Sequence, residues 1–146
     1  MRFVVIDASV AVKWYVNETG SEKAVSLLDN DDLLFLAPDI FLPELTNALL
    51  RQRRTGQLTD QALDKALGDV SFSAPELVPS GRLLDRAVVV ARALSHPLYD
   101  CIYLALAERW ETVLVTADEE FVSRCRKQLA DDPITDRLRL LNEFDP

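Results

Sequence analysis

The amino-acid sequence predicts an α/β domain built on a mostly parallel central sheet of four to five strands. Two observations carry this. Short runs that are apolar on both faces recur along the chain, as in strands buried within a parallel sheet. Segments with helical periodicity separate them, as parallel connections require. The strand runs are Arg2 to Ile6, Leu33 to Ala37, Leu77 to Val78, Thr112 to Thr116 and Leu138 to Leu141.

The first run stops at Asp7 and passes into a helical stretch from Ser9 to Val16. Thr19-Gly20-Ser21-Glu22 has the spacing of a capping box and predicts a helix from Ser21 to Leu28. Asp29-Asn30-Asp31-Asp32 lacks the ligand spacing of a calcium loop and reads as a solvated helix-to-strand turn. A helix from Phe41 to Arg54 then stops at Gly56; Pro43 is tolerated because first-turn amides have no intrahelical acceptor. Further helices are predicted over Asp60 to Asp69, Leu83 to Leu94, Asp100 to Trp110 and Glu119 to Leu129. No internal repeat, low-complexity tract or linker divides the chain, which reads as one domain over residues 1–146.

Composition narrows the function classes. A hydrophobic content of 49% in 146 residues is enough for a sizeable core. Apolar runs such as Ala87 to Ala91 fall far short of the roughly 20 residues of a membrane helix. The first apolar run is broken by Asp7 and lacks a small-residue cleavage site, so a cytoplasmic protein is expected. Cys101 and Cys125 make no CxxC pair and are expected to be reduced. With 24 acidic against 16 basic residues the net charge is −8, which argues against nucleic-acid binding through a broad positive field. Four glycines form neither a dinucleotide turn nor a phosphate loop. The single histidine, His96, precedes Pro97 and reads as a turn residue; it excludes a histidine pair.

What remains are carboxylates. In open α/β sheets functional groups gather outside the carboxyl ends of strands. Asp7 follows the first strand, and Asp118 follows Thr112 to Thr116 in T-A-D-E-E-F. Each also suits a helix N-cap, and Thr116 with Glu119 has capping-box spacing. Asp100 lies at the start of a helix, Y-D-C-I-Y-L-A-L-A, that is apolar around nearly its whole circumference. Such a helix is normally buried, so its carboxylate either caps it or requires a cation. Glu44, Asn47, Arg51 and Arg54 step along one helix face beside an apolar stripe of Phe41, Leu45, Ala48 and Leu49. That face is either a solvated surface or an acid and an amide entering a site, with arginines beyond them to meet phosphates.

Four segments together resemble the PIN-domain nucleases, and more narrowly the VapC-type toxins of toxin-antitoxin modules: D-A-S (Asp7 to Ser9), P-E-L-T-N-A-L (Pro43 to Leu49), Y-D-C-I-Y-L-A-L-A (Tyr99 to Ala107) and L-V-T-A-D-E-E-F (Leu114 to Phe121). The resemblance covers nearly the whole chain. It implies a PIN-like three-layer α/β/α domain with an acid cluster of Asp7, Glu44, Asp100 and Asp118, supported by Ser9, Asn47 and Thr116. It also implies a metal-dependent endoribonuclease using one or two Mg²⁺ or Mn²⁺ ions. Four gathered carboxylates repel unless cations neutralise them, and all-oxygen ligation favours these ions over zinc. Asp7 and Asp100 would hold the principal ion, and which of Asp118, Glu119 and Glu120 nears a second stays open. Lys13, Arg51 and Arg54 are candidate contacts to RNA phosphates, whereas Arg124, Arg126 and Lys127 read as a solvated face. The resemblance further implies a homodimer and a cognate VapB-type antitoxin covering the site. Trp14, Tyr15, Phe41 and Leu42 are candidates for that surface. One alternative is an aspartyl-phosphate phosphatase or phosphotransferase on Asp7, although Ser9 stands where such enzymes carry a second Asp. Another is a non-catalytic PIN-like module that binds RNA or protein, in which erosion of the acids is expected.

Overall fold

The computed structural model describes residues 1–73 and 75–146, with the side chains of residues 71–73 outside the description. Five strands form one sheet: β1 (Arg2–Ile6), β2 (Leu33–Pro38), β3 (Glu76–Val78), β4 (Leu114–Thr116) and β5 (Leu138–Leu140). Their order is β3-β2-β1-β4-β5 and every pairing is parallel. The chain moves outward from β1 through β2 to β3, then returns to the other side of β1 for β4 and β5. The reversal between β1 and β4 leaves a crevice at their carboxyl ends.

The connections hold α1 (Ala8–Ala11), α2 (Ser21–Leu28), α3 (Phe41–Arg54), α4 (Asp60–Ser73), α5 (Leu84–Leu94), α6 (Leu98–Arg109) and α7 (Glu119–Gln128). The right-handed rule for crossovers running in the two directions assigns α2 to α4 to one face and α5 to α7 to the other, and α3 packs on α1 and α4 while α5 packs on α6 and α7. The result is three layers, in agreement with the sequence reading. Val4, Val5 and Ile6 of β1 are fully buried, and so is nearly every residue of α6 from Cys101 to Ala107, which packs across β1, β2 and β4. Among the described residues no helix is long and apolar enough to cross a membrane. Cys101 and Cys125 are both buried free thiols.

Element limits differ from the sequence reading for local reasons. The predicted Ser9 to Val16 helix is the short α1 followed by a 3₁₀ turn over Val12–Trp14. β4 starts at Leu114, just after Glu111 takes a left-handed turn at φ 51°. α6 starts at Leu98 because Pro97 serves as its N-cap, and α4 runs on to Ser73. The Thr19 to Glu22 capping box does not form. Gly20 is the N-cap at φ 89°, a left-handed conformation suited to glycine, and no side chain caps the helix. Ser21 instead donates to Val16 O at 2.8 Å and accepts from Glu18 N at 2.9 Å. The acidic turn after α2 behaves as read, with Asn30 Oδ1 accepting from Asp32 N.

Because α6 is the element that the sheet and α5 both pack against, its core positions bear directly on stability. Leu104, fully buried, is expected to cost about 2–5 kcal/mol when replaced by Ala, read as a lowered urea midpoint. A loss below ~1 kcal/mol would contradict this packing.

Candidate active site

Asp7 extends β1 by one residue, with its N–H donating to Val115 O of the neighbouring strand at 3.1 Å. It is only 6% exposed and occupies the N-cap position of α1, yet its side chain makes no capping bond. Its Oδ2 instead accepts from Ser9 Oγ and from Thr116 Oγ1, both at 2.7 Å. Each hydroxyl has one hydrogen, so each spends it on Asp7 and must accept elsewhere. Ser9 Oγ accepts from Ala117 N at 3.1 Å and Thr116 Oγ1 from Asp118 N at 3.1 Å. The end of β1 and the turn after β4 are thereby joined through one carboxylate oxygen.

Glu44 projects from the first turn of α3. Its Oε1 is buried and has no hydrogen-bond partner, and Tyr103 Oη is in the same condition. The Tyr103 hydroxyl lies near enough to Glu44 to favour its charged form slightly, but not in hydrogen-bonding geometry. Burial pushes the Glu44 carboxyl up to about 7, with the charges of Asp7 and Asp100 adding to the effect. Burial likewise raises Asp7 to about 6, helped by Asp100 and opposed by the two hydroxyls. The Tyr103 phenol is pushed well above its ordinary value by burial and by the same two acids.

Asp100, in the first turn of α6, is raised by burial and by Asp118, while His96 acts in the opposite sense. His96 Nε2 stands 2.7 Å from Asp100 Oδ2. Asp118 caps α7, its Oδ1 accepting from Phe121 N at 3.0 Å. The capping box read for Thr116 and Glu119 is therefore replaced by an Asp118 cap, with Thr116 turned toward Asp7. Glu119 and Glu120 are exposed, and Glu120 pairs with Arg124 at 2.7 Å.

The fold thus brings Asp7, Glu44 and Asp100 within range of one another's charge and Asp118 within range of Asp100, with Ser9 and Thr116 bonded to Asp7. Among the described residues, however, no three His, Cys, Asp or Glu side chains are grouped tightly enough to hold one ion as placed. The donors are hard carboxylate oxygens, one of them buried without a partner, and this set suits Mg²⁺ or Mn²⁺ chemically. Asn47 is exposed one turn beyond Glu44 and makes no hydrogen bond to this cluster. Arg51 and Arg54 are exposed further along α3. Lys13 is engaged locally, donating to Glu18 Oε1 at 3.0 Å and Thr19 O at 2.7 Å. Phe41 is fully buried in the core, which removes it from any partner surface, while Trp14, Tyr15 and Leu42 are partly buried.

Two residues of the site escaped the sequence reading. His96 is not a plain turn residue; its ring contacts Asp100, Phe121 and Arg124. The His-Pro-x-x-Asp spacing was the available signal, because a proline N-cap has no N–H for the acid to reach. Tyr103 reads in the sequence as one more residue of a helix apolar around nearly its whole circumference, although it follows Asp100 by three positions and so shares its helix face.

A PIN-domain family model matches residues 4–127. The chain is 28% identical over 123 residues to Ribonuclease VapC3 of Pyrobaculum aerophilum, covering 83% of this chain and 93% of that relative. Among solved structures, PAE2754 of Pyrobaculum aerophilum superposes with a TM-score of 0.61 at 26% identity, covering 83% of this chain and 78% of that one. A toxin-antitoxin complex from Klebsiella pneumoniae gives 0.55 at 15% identity, covering 97% and 99% of the two chains. Since the match runs from within β1 to within α7 and includes Asp7, Glu44, Asp100 and Asp118, the chain belongs to the PIN-domain family, and among its members it is similar to a VapC ribonuclease.

Proposed function

We propose that this chain is a Mg²⁺- or Mn²⁺-dependent endoribonuclease and the toxin of a toxin-antitoxin module. The observation that carries the proposal is the unpartnered, buried Oε1 of Glu44 beside the buried Asp7, two carboxylates that form no ion pair with a Lys, Arg or His side chain among the described residues. An uncompensated buried carboxylate is costly and is retained where something else neutralises it. The name of the VapC3 relative, a ribonuclease, supports RNA as the substrate.

In this reading Asp7 and Asp100 hold the principal ion, and Glu44 and Asp118 complete the cluster around one or two ions. A cation there supplies charge neutralisation, activation of a water and stabilisation of the leaving oxygen. Ser9 and Thr116 keep Asp7 in one orientation by holding Oδ2 from two sides. Glu44, projecting from the first turn of α3 beside Asp7, orients the water. Arg51 and Arg54 meet RNA phosphates along α3, with Lys13 at the border of the site, and Asn47 lies between the acids and the arginines. The antitoxin is VapB-type, in keeping with the toxin-antitoxin neighbour. A groove of about 650 Å³ lined by Trp14, Tyr15 and Val25 is the surface we assign to it. Leu84, Val88 and Val89, exposed on α5, are the surface we assign to a homodimer.

Asp7→Asn, Glu44→Gln and Asp100→Asn are each expected to lower RNA cleavage at least ~100-fold, with circular dichroism unchanged. Undiminished cleavage by a folded Asp7→Asn protein would falsify the assignment. The nucleophile is water and not the RNA 2′-hydroxyl, so sequencing of product ends should find 5′-phosphate and 3′-hydroxyl. Cyclic 2′,3′-phosphates would contradict it.

The raised pKa values give a second test, on the metal-free protein. A carboxyl whose folded pKa exceeds its unfolded value adds stability below the unfolded value and loses it as pH rises through the folded one. Metal-free protein is therefore expected to melt lower at pH 8 than at pH 5, by about 2–4 °C for each kcal/mol lost. Mg²⁺ should restore much of that at pH 8 and little at pH 5, and Asp7→Asn should flatten both responses. A melting temperature that rises from pH 5 to pH 8 without metal would speak against the burial of these acids.

A further inference from the structure

We propose that His96 is a positioning residue for Asp100, holding one carboxylate oxygen so that the other faces the acid cluster; this rests on the reading of Asp100 as a cation ligand. Asp100 occupies the third position of α6, where an acid ordinarily reaches back to the N-cap N–H. The N-cap is Pro97, which has no N–H. His96, one residue earlier, supplies the donor from its ring instead, with Nε2 2.7 Å from Asp100 Oδ2.

The ring is held on every side. Its side chain is 8% exposed. Its face lies over Phe121 with ring centroids 4.8 Å apart and planes inclined by 33°. Its backbone N–H donates to Ala91 O at 3.1 Å, and the preceding Ser95 takes a left-handed conformation at φ 49°. Arg124 Nη1 stands 3.3 Å from His96 Nδ1 and 3.4 Å from Ser95 O, while its Nη2 is anchored to Glu120 at 2.7 Å.

Arg124 fixes which ring nitrogen donates. A guanidinium has donors only, so the arrangement suits Nδ1 as the acceptor facing Arg124 and Nε2 as the donor facing Asp100. A ring N–H donor of this kind holds one carboxylate oxygen and leaves the other free to face a cation. Partners that orient metal-ligating groups in this way are commonly worth about 10–100-fold in metal affinity. A merely structural role would anchor the turn before α6 and leave metal affinity untouched.

The test is Mn²⁺ binding to the full, RNA-free chain by calorimetry, alongside metal-free melting. His96→Phe keeps the ring packing on Phe121 and removes the donor; it is expected to fold and to bind Mn²⁺ about 10-fold or more weakly. His96→Gln, which keeps an amide N–H near the Nε2 position, should recover most of the affinity. Wild-type affinity in folded His96→Phe overturns the proposal, as does an equal loss in both variants. Absence of Mn²⁺ binding to the wild type overturns the metal reading as a whole, which separates the two failures. Should His96→Phe not fold, ¹⁵N spectra of the wild-type ring decide, because the chain has a single histidine. Hydrogen on Nε2 supports the proposal, and an Nε2 without hydrogen overturns it.

Discussion

Asp7 is a carboxylate buried where β1 meets β4, and most of the site's geometry follows from how it is held there. Two hydroxyls converge on its Oδ2, one from Ser9 in the first turn of α1 and one from the last residue of β4. Each hydroxyl then receives a backbone N–H from the turn leading into α7. The carboxylate is thus a joint between strands 109 residues apart in sequence, as well as a group with charge to offer. Hydrogen bonding lowers its proton affinity while burial and Asp100 raise it, and burial wins. That balance keeps the Asp7 carboxyl protonated to a higher pH than an ordinary aspartate, as burial does for Glu44.

The helices around this joint divide the work of bringing the other acids to it. α3 delivers Glu44 from its first turn while burying Phe41, Leu45 and Leu49. α6 delivers Asp100 from its own first turn and is otherwise enclosed, so it has no freedom to shift the acid without disturbing the sheet. α7 brings Asp118 as its cap, and also Phe121 and Arg124, which hold His96. Acids at helix starts are favoured by the helix dipole, which offsets part of the repulsion between them. The ion-paired Arg86, shared between Glu108 and Asp132, ties α5, the end of α6 and the segment before β5 together behind the site.

Much of this was legible in the sequence, because local signals and tertiary demands agree there. The apolar runs ending in Asp7 and in Thr116-Ala117-Asp118 gave both the parallel sheet and the edge where acids gather. The enclosed helix after Asp100 was legible from its lack of any polar stripe. What was hidden depends on partners distant in sequence. His96 looked like a turn residue because Phe121 and Arg124, 25 and 28 residues on, are invisible in H-P-L-Y-D. Tyr103 looked like core because its hydroxyl matters only once Glu44 stands beside it. Thr19 to Glu22 had capping-box spacing, but Ser21 bonds to Val16 and Glu18, a choice made by the chain before the helix. Phe41 looked available to a partner because a stripe does not say which of its members the sheet covers.

The central claim is that the buried acids exist to hold a divalent cation. Its most direct test is anomalous diffraction from crystals of the full chain soaked in Mn²⁺. The account expects a peak within about 2.0–2.3 Å of oxygens from both Asp7 and Asp100, with Glu44 drawn toward it. Peaks confined to surface carboxylates, with Asp7 still bound only by Ser9 and Thr116, would contradict it.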